Sequence, residues 1–129
     1  MGRLNQQLEG AVRAFLDLGV KGDVEGSVDC FAHGASYQVN GWQEPLIGHD
    51  AIRQDFSRQR ALWSDFRYQL LNIGTVGNIV FTERIDTVRM AGRDVNIHMA
   101  GIFEFDGAGK IASWRDYFDT TALMTQLTG

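Results

Sequence analysis

From residue 66 onward the chain reads as four consecutive strand-like segments, 66–76, 79–90, 95–105 and 110–119. They are parted by Gly77-Asn78, Ala91-Gly92-Arg93-Asp94 and Asp106-Gly107-Ala108-Gly109, turns too short to hold a crossover helix. Strands joined this tightly pair antiparallel with their neighbours. Ahead of them, apolar residues at Leu4, Leu8, Ala11, Val12, Phe15, Leu16 and Leu18 form a helical stripe, with Gly19 as its expected stop. Asp23 is placed to cap a short helix running through Phe31 and ended by His33-Gly34. A brief strand over 35–40 follows, then a loop holding Pro45, and a third helix over about 50–63. Thr120 or Thr121 is placed to cap a short final helix. Helices first and a strand meander after predict an α+β fold: a cone-shaped, curved, mixed or antiparallel sheet packed on N-terminal helices, as one domain over 1–129.

The third strand carries apolar residues on both faces, with Ile97, Met99, Phe103 and Phe105 on one side and Ala100 and Ile102 on the other. Helices cover only one face of a sheet, so a second copy of the chain is the simplest cover for the other, and a homodimer is expected.

The most unusual segment is Thr82-Glu83-Arg84-Ile85-Asp86-Thr87-Val88. Strand side chains alternate, so Arg84 and Asp86 share a face with Val80, Thr82 and Val88. Two readings are open. On an exposed face the two form a weak surface ion pair. On a buried face neither charge is tolerable alone, since an unpaired buried ion costs several kcal/mol or changes protonation. A second segment, Trp114-Arg115-Asp116-Tyr117-Phe118-Asp119, puts Asp116 on one face with Trp114 and Phe118. Two carboxylates on apolar strands, with an arginine to lie between them, suit acid–base chemistry.

Charge and composition narrow the field. A net charge of −4 without a basic cluster argues against nucleic acid and acidic lipid as partners. No apolar run is long enough for a membrane span, and the first residues lack a signal-peptide core. The lone Cys30 excludes an internal disulfide and suits a reducing compartment, so a cytoplasmic location is expected. His33, His49 and His98 lack metal-ligand spacing, and no metal or cofactor is expected. Trp42, Leu46, Phe56, Trp114, Phe118, Leu123 and Met124 are candidates to line an apolar pocket, or simply to fill a core.

The run Arg84-Ile85-Asp86 followed by Trp114-Arg115-Asp116-Tyr117-Phe118-Asp119 resembles the limonene-1,2-epoxide hydrolases, a branch of the SnoaL-like, ketosteroid isomerase-like superfamily. The resemblance extends through Gly101-Ile102-Phe103-Glu104-Phe105, Tyr37-Gln38-Val39-Asn40 and Gly48-His49-Asp50-Ala51-Ile52, most of the chain in order. It implies an enzyme that adds water to a small, mainly apolar epoxide, giving a vicinal diol without a covalent intermediate. Carried over, Asp116 is the general base, Asp86 the general acid and Arg84 the bridge, with Asn40 and Tyr37 holding the water. The family pattern has one residue between tyrosine and asparagine, whereas this chain has Gln38 and Val39 between them. A one-residue bulge would aim both side chains at one water. The layout alone is shared by ketosteroid isomerases, polyketide cyclases and non-catalytic binding modules, so an isomerase or cyclase and a small-ligand-binding module are the rival readings.

Overall fold

A computed structural model of the chain describes residues 2–128. In chain order the elements are α1 (Gly2–Lys21), α2 (Val24–Asp29), β1 (Phe31–Val39), β2 (Leu46–Ile47), α3 (His49–Leu62), β3 (Ser64–Val76), β4 (Ile79–Met90), β5 (Arg93–Phe105), β6 (Ile111–Phe118) and α4 (Thr120–Thr128). One six-stranded sheet runs β2-β1-β6-β5-β4-β3. The β3 to β6 meander is antiparallel throughout, and β1 joins it parallel to β6. Register shifts interrupt β3/β4 twice, β5/β6 once and β1/β6 once. Such irregularities add twist, and they curl the sheet around the helices.

Several local expectations yield to packing. Gly19 does not end α1, which continues to Lys21. A Cβ at Gly19 would lie 3.2 Å from the Phe66 ring, so this glycine serves the close approach of β3 to the helix. Termination falls to Gly22, at φ +73°, with the Gly22 and Asp23 amides donating to the Gly19 and Leu18 carbonyls at 3.1 and 3.0 Å. Asp23 does cap α2, accepting from the Gly26 amide at 2.9 Å. That helix stops at Asp29, and Phe31, His33 and Gly34 belong to β1. Pairing with β6 wins here: the Ile111 amide donates to the Cys30 carbonyl at 2.8 Å, and Phe31 is buried opposite Ile111. Cys30 is therefore the C-cap of α2 and only partly buried. The hairpin turn after β4 contracts to Ala91-Gly92, both at positive φ. Asp119, rather than a threonine, caps α4 by accepting from the Thr121 and Ala122 amides.

The core lies between the helices and the inner face of the sheet. Phe15 of α1 is its hub, edge-on to Phe31 at 5.4 Å, to Phe103 at 6.0 Å and to Trp114 at 4.9 Å between centroids. Val12, Val28, Ile52, Val80 and Ile111 fill the space around these rings. The opposite sheet face leaves Phe81 and Tyr117 exposed among polar pairs such as Asn72–Glu83 and Arg115–Glu104. Among the described residues no helix is long and apolar enough to cross a membrane. Because Phe15 bridges α1 to both β1 and the central strands, Phe15→Ala is expected to cost about 3–5 kcal/mol. Urea unfolding of the two proteins measures that difference directly.

Candidate active site

At the open end of the curled sheet, beneath α3, lies a cavity of about 610 Å³. Tyr37, Arg84, Asp86, Trp114 and Asp116 line it. The buried reading of the β4 face is the one the structure adopts: Thr82, Arg84, Asp86 and Val88 are all buried on it. Of the residues picked as apolar lining, Leu46, Phe56, Trp114, Phe118 and Leu123 do line the cavity, whereas Trp42 and Met124 are exposed.

Arg84 is 1% exposed, yet none of its donors lacks a partner. Nε and Nη2 form a fork on Asp86, at 3.0 Å to Oδ1 and 3.1 Å to Oδ2. Across β5, Nη2 donates to Asp116 Oδ2 at 2.9 Å and Nη1 reaches Oδ1 at 3.4 Å. Nη1 also donates to Thr82 Oγ1 at 3.0 Å, and the Met99 sulfur lies 2.7 Å from Nη2. The guanidinium's five N–H groups thus have five oxygen contacts, a complete use of its planar fork. The Trp114 indole donates to Asp116 Oδ1 at 2.8 Å. Thr82 and Met99 were absent from the expected site. Thr82 was legible as the i−2 neighbour of Arg84 on one strand face, and Met99 stands directly opposite Arg84 only once the β4/β5 register is known.

Gly101 makes this bridge possible. It sits on β5 opposite both Thr82 of β4 and Asp116 of β6. The arginine on β4 must reach over β5 to the carboxylate on β6, and a side chain on the intervening residue would block it. A Cβ at Gly101 would come 2.5 Å from Arg84 Nη1, 2.6 Å from Asp116 Oδ1 and 2.9 Å from Thr82 Oγ1.

Tyr37 lines the cavity, while Asn40 is not among its lining residues and is tied to the β6 backbone; no bulge lies between the two. Tyr37, Gln38 and Val39 pair in continuous register with Trp114, Arg115 and Asp116. β1 then ends, and Asn40 takes a left-handed conformation at φ +49°, which returns its side chain towards β6. Its amide donates to the Asp116 carbonyl at 2.7 Å, and its Oδ1 accepts from the Phe118 amide at 2.8 Å. Its Nδ2 is buried without a partner among the described residues. Such an orphan donor marks a place for a water or a ligand. Tyr37 stacks flat on Trp114 at 4.5 Å, and its hydroxyl lies 3.5 Å from Gln59 Nε2.

Burial dominates the electrostatics. It pushes the Asp116 carboxyl above its ordinary range; Arg84 opposes the shift, nearby Asp86 adds to it, and the Trp114 hydrogen bond opposes it. Burial works against the charge of Arg84, but Asp116 and Asp86 outweigh it and raise that group. Burial and then the Asp116 charge push the Tyr37 phenol up, so it remains a neutral donor. Glu83 lies on the other strand face, bonded to Asn72. His33 and His49 stack on each other at 4.8 Å, with His49 Nε2 on the Phe31 carbonyl, away from the carboxylates. Among the described residues no group of three His, Cys, Asp or Glu side chains is arranged to hold a metal.

Two outcomes follow from this geometry. Gly101→Ala overpacks the bridge and is expected to lower stability by about 1–3 kcal/mol, read by chemical unfolding. Asp116 has a raised folded-state pKa, so its contribution to stability is full below the unfolded-state value and is lost as pH rises through the folded one. Asp116→Asn mimics the protonated form. Unfolding free energies measured between pH 4 and 8 are expected to converge at the acid end and to favour the variant progressively as pH rises.

The chain is similar to several known proteins. A family model described as the limonene-1,2-epoxide hydrolase catalytic domain matches residues 7–128. The epoxide hydrolase EphG of Mycobacterium tuberculosis is 41% identical over 54 residues, a stretch that is 42% of this chain and 36% of that protein. Among solved structures, a limonene-epoxide-hydrolase-like epoxide hydrolase of M. tuberculosis superposes with a TM-score of 0.83 at 27% identity, covering 96% of this chain and 91% of its own. The epoxide hydrolase/cyclase-like enzyme SalBIII, from pyran ring formation in salinomycin, superposes at 0.82 with 19% identity over 91% and 94% of the two chains. A Catenulispora acidiphila protein with a ketosteroid isomerase-like fold gives 0.82 at 18% identity, with 90% of each chain covered. The last two likenesses are of fold alone. With the family model spanning nearly its whole length, the chain belongs to the limonene-1,2-epoxide hydrolase family.

Proposed function

We propose that the protein adds water to a small, mainly apolar epoxide, in one step and without a covalent intermediate, to give a vicinal diol. The observation that carries this reading is the buried fork of Arg84 between Asp86 and Asp116 on the cavity wall. Epoxide opening by water needs two proton movements: the attacking water loses one and the departing alkoxide gains one. A carboxylate performs the first and a carboxylic acid the second. In this reading Asp116 is the base, Asp86 the acid, and Arg84 fixes their separation. The upward push on Asp116 supports its role, because a carboxylate that bears its charge reluctantly draws the water proton more strongly. The attacking water rests between Asp116, the orphan Nδ2 of Asn40 and the Tyr37 hydroxyl, supported by the unfilled donor on Asn40.

Charge conservation is compatible with this pair of roles. When one carboxyl takes a proton and the other releases one, the net charge of the buried cluster is unchanged, so the reaction leaves no additional uncompensated charge in the core. Val88, Ile97, Met99, Phe118 and Leu123 give the cavity apolar walls for the rest of the substrate. An isomerase with a single carboxylate base leaves the Arg84 bridge without a task.

Asp116→Asn and Asp86→Asn are each expected to lower turnover of terpene, cyclohexene or styrene oxides by at least roughly 10²–10⁴. The double variant is expected to be little worse than either single one, because the two act as a unit. Single turnover in ¹⁸O-labelled water is expected to place solvent oxygen in the first diol. An unlabelled first diol would instead report an ester formed by direct carboxylate attack.

A further inference from the structure

The cavity has a second polar wall, on α3, away from the Arg84 fork and touching the proposed water site through the Tyr37 hydroxyl. Asp55 and Gln59 stand one helical turn apart and both line the cavity. Gln59 Nε2 donates to Asp55 Oδ2 at 2.8 Å and lies 3.5 Å from the Tyr37 hydroxyl oxygen. Since a carboxylate only accepts, this bond fixes which end of the Gln59 amide faces Asp55. Gln59 Oε1 accepts from no donor among the described residues. The Asp55 side chain is 15% exposed, and Arg58, itself 63% exposed, donates to its Oδ1 at 2.5 Å. Each Asp55 oxygen thus holds one hydrogen bond, and a carboxylate offers about four such sites. The wall thus offers open acceptors on Asp55 and Gln59, with the Arg58 guanidinium beside them as a donor.

On the reading of the protein as an epoxide hydrolase, we propose that its substrate is a hydroxylated epoxide, whose hydroxyl donates to the Asp55–Gln59 wall while the epoxide faces Asp86 and Asp116. A neutral hydroxyl fits better than an ammonium group, because Arg58 already balances the Asp55 charge. The two polar regions are joined by an aromatic layer: Tyr37 meets Gln59 at its hydroxyl and stacks on Trp114, whose indole donates to Asp116. A substrate with its ring over the apolar walls and polar groups at two ends matches that layout. A plain hydrocarbon epoxide would instead leave the Asp55 and Gln59 acceptors unpaired on being buried, which costs affinity.

The test compares cyclohexene oxide with the positional isomers of epoxycyclohexanol and with the corresponding epoxycyclohexylamine. The wild-type kcat/KM for one epoxycyclohexanol is expected to exceed that for cyclohexene oxide by roughly tenfold to a hundredfold. Asp55→Leu and Gln59→Leu are each expected to bring the ratio close to one, chiefly through KM. Circular dichroism checks that each variant folds, and Asp55→Asn replaces any that does not. A wild-type ratio near one, a ratio unchanged in the folded variants, or a preference for the amine overturns the assignment. Calorimetry with cyclohexanediol and cyclohexanetriol separates this proposal from the hydrolase reading. If no epoxide is turned over, the hydrolase reading fails, and tenfold tighter triol binding that is lost in the variants still upholds the hydroxyl-binding wall. Equal binding of diol and triol overturns it.

Discussion

A guanidinium held at 1% exposure is the constraint on which the inner half of this sheet depends. Taking such an ion out of water costs several kcal/mol even after relaxation, unless opposite charge and hydrogen bonds meet it on all sides. The neighbours of Arg84 follow from that demand. Asp86 must be two residues on, on the same strand face; Asp116 must lie two strands away; and Thr82 must supply the remaining oxygen. Gly101 must have no side chain, or the guanidinium cannot reach across β5. Losing Arg84 alone would leave two carboxyls facing each other in the core, so the arginine is as much a condition of the fold as of any reaction.

Stability and chemistry pull in different directions here. Replacing a buried ion cluster by apolar side chains of similar volume is often neutral or stabilising. Nothing in packing alone requires this one, since Phe15, Phe31, Phe103 and Trp114 already close the core around it. The Asp116 carboxyl, pushed up by burial, is held at a disadvantage in its charged form. A group kept in an unfavourable charge state beside a cavity is poised to accept a proton, and such perturbed groups concentrate at functional sites.

The sequence was most legible where local chemistry and global packing agree. The four-strand meander, its turn at Gly77-Asn78, the Asp23 cap and the shared face of Arg84 and Asp86 all follow from period-two alternation and turn residues. Legibility failed where a distant partner decided the outcome. Gly19 reads as a helix stop, yet it is small because Phe66 packs on it. Residues 31–34 read as the end of a helix, yet the parallel partner β6 draws them into β1. Asn40 seemed to need a bulge, but the left-handed turn after Val39 directs it instead. Asp55 and Gln59 carry no local signal, because nothing in the sequence of α3 reveals that their face closes a cavity.

The parallel pairing of β1 with β6 does what a meander cannot. β3 to β6 alone would hold Arg84, Asp86 and Asp116 in place, but it would leave the β6 edge, next to Asp116, open. Adding β1 in parallel carries Tyr37 alongside Trp114 and brings the turn residue Asn40 back onto the backbone of Asp116 and Phe118. The same stroke seals the sheet edge and buries the unfilled Nδ2 donor of Asn40. Folds of this shape recur at 18–19% identity, and a shared shape does not by itself choose a reaction. On the proposed epoxide-hydrolase reading, the choice rests with a few positions on three inner strand faces: an arginine and an aspartate on β4, a glycine on β5, and a tryptophan and an aspartate on β6.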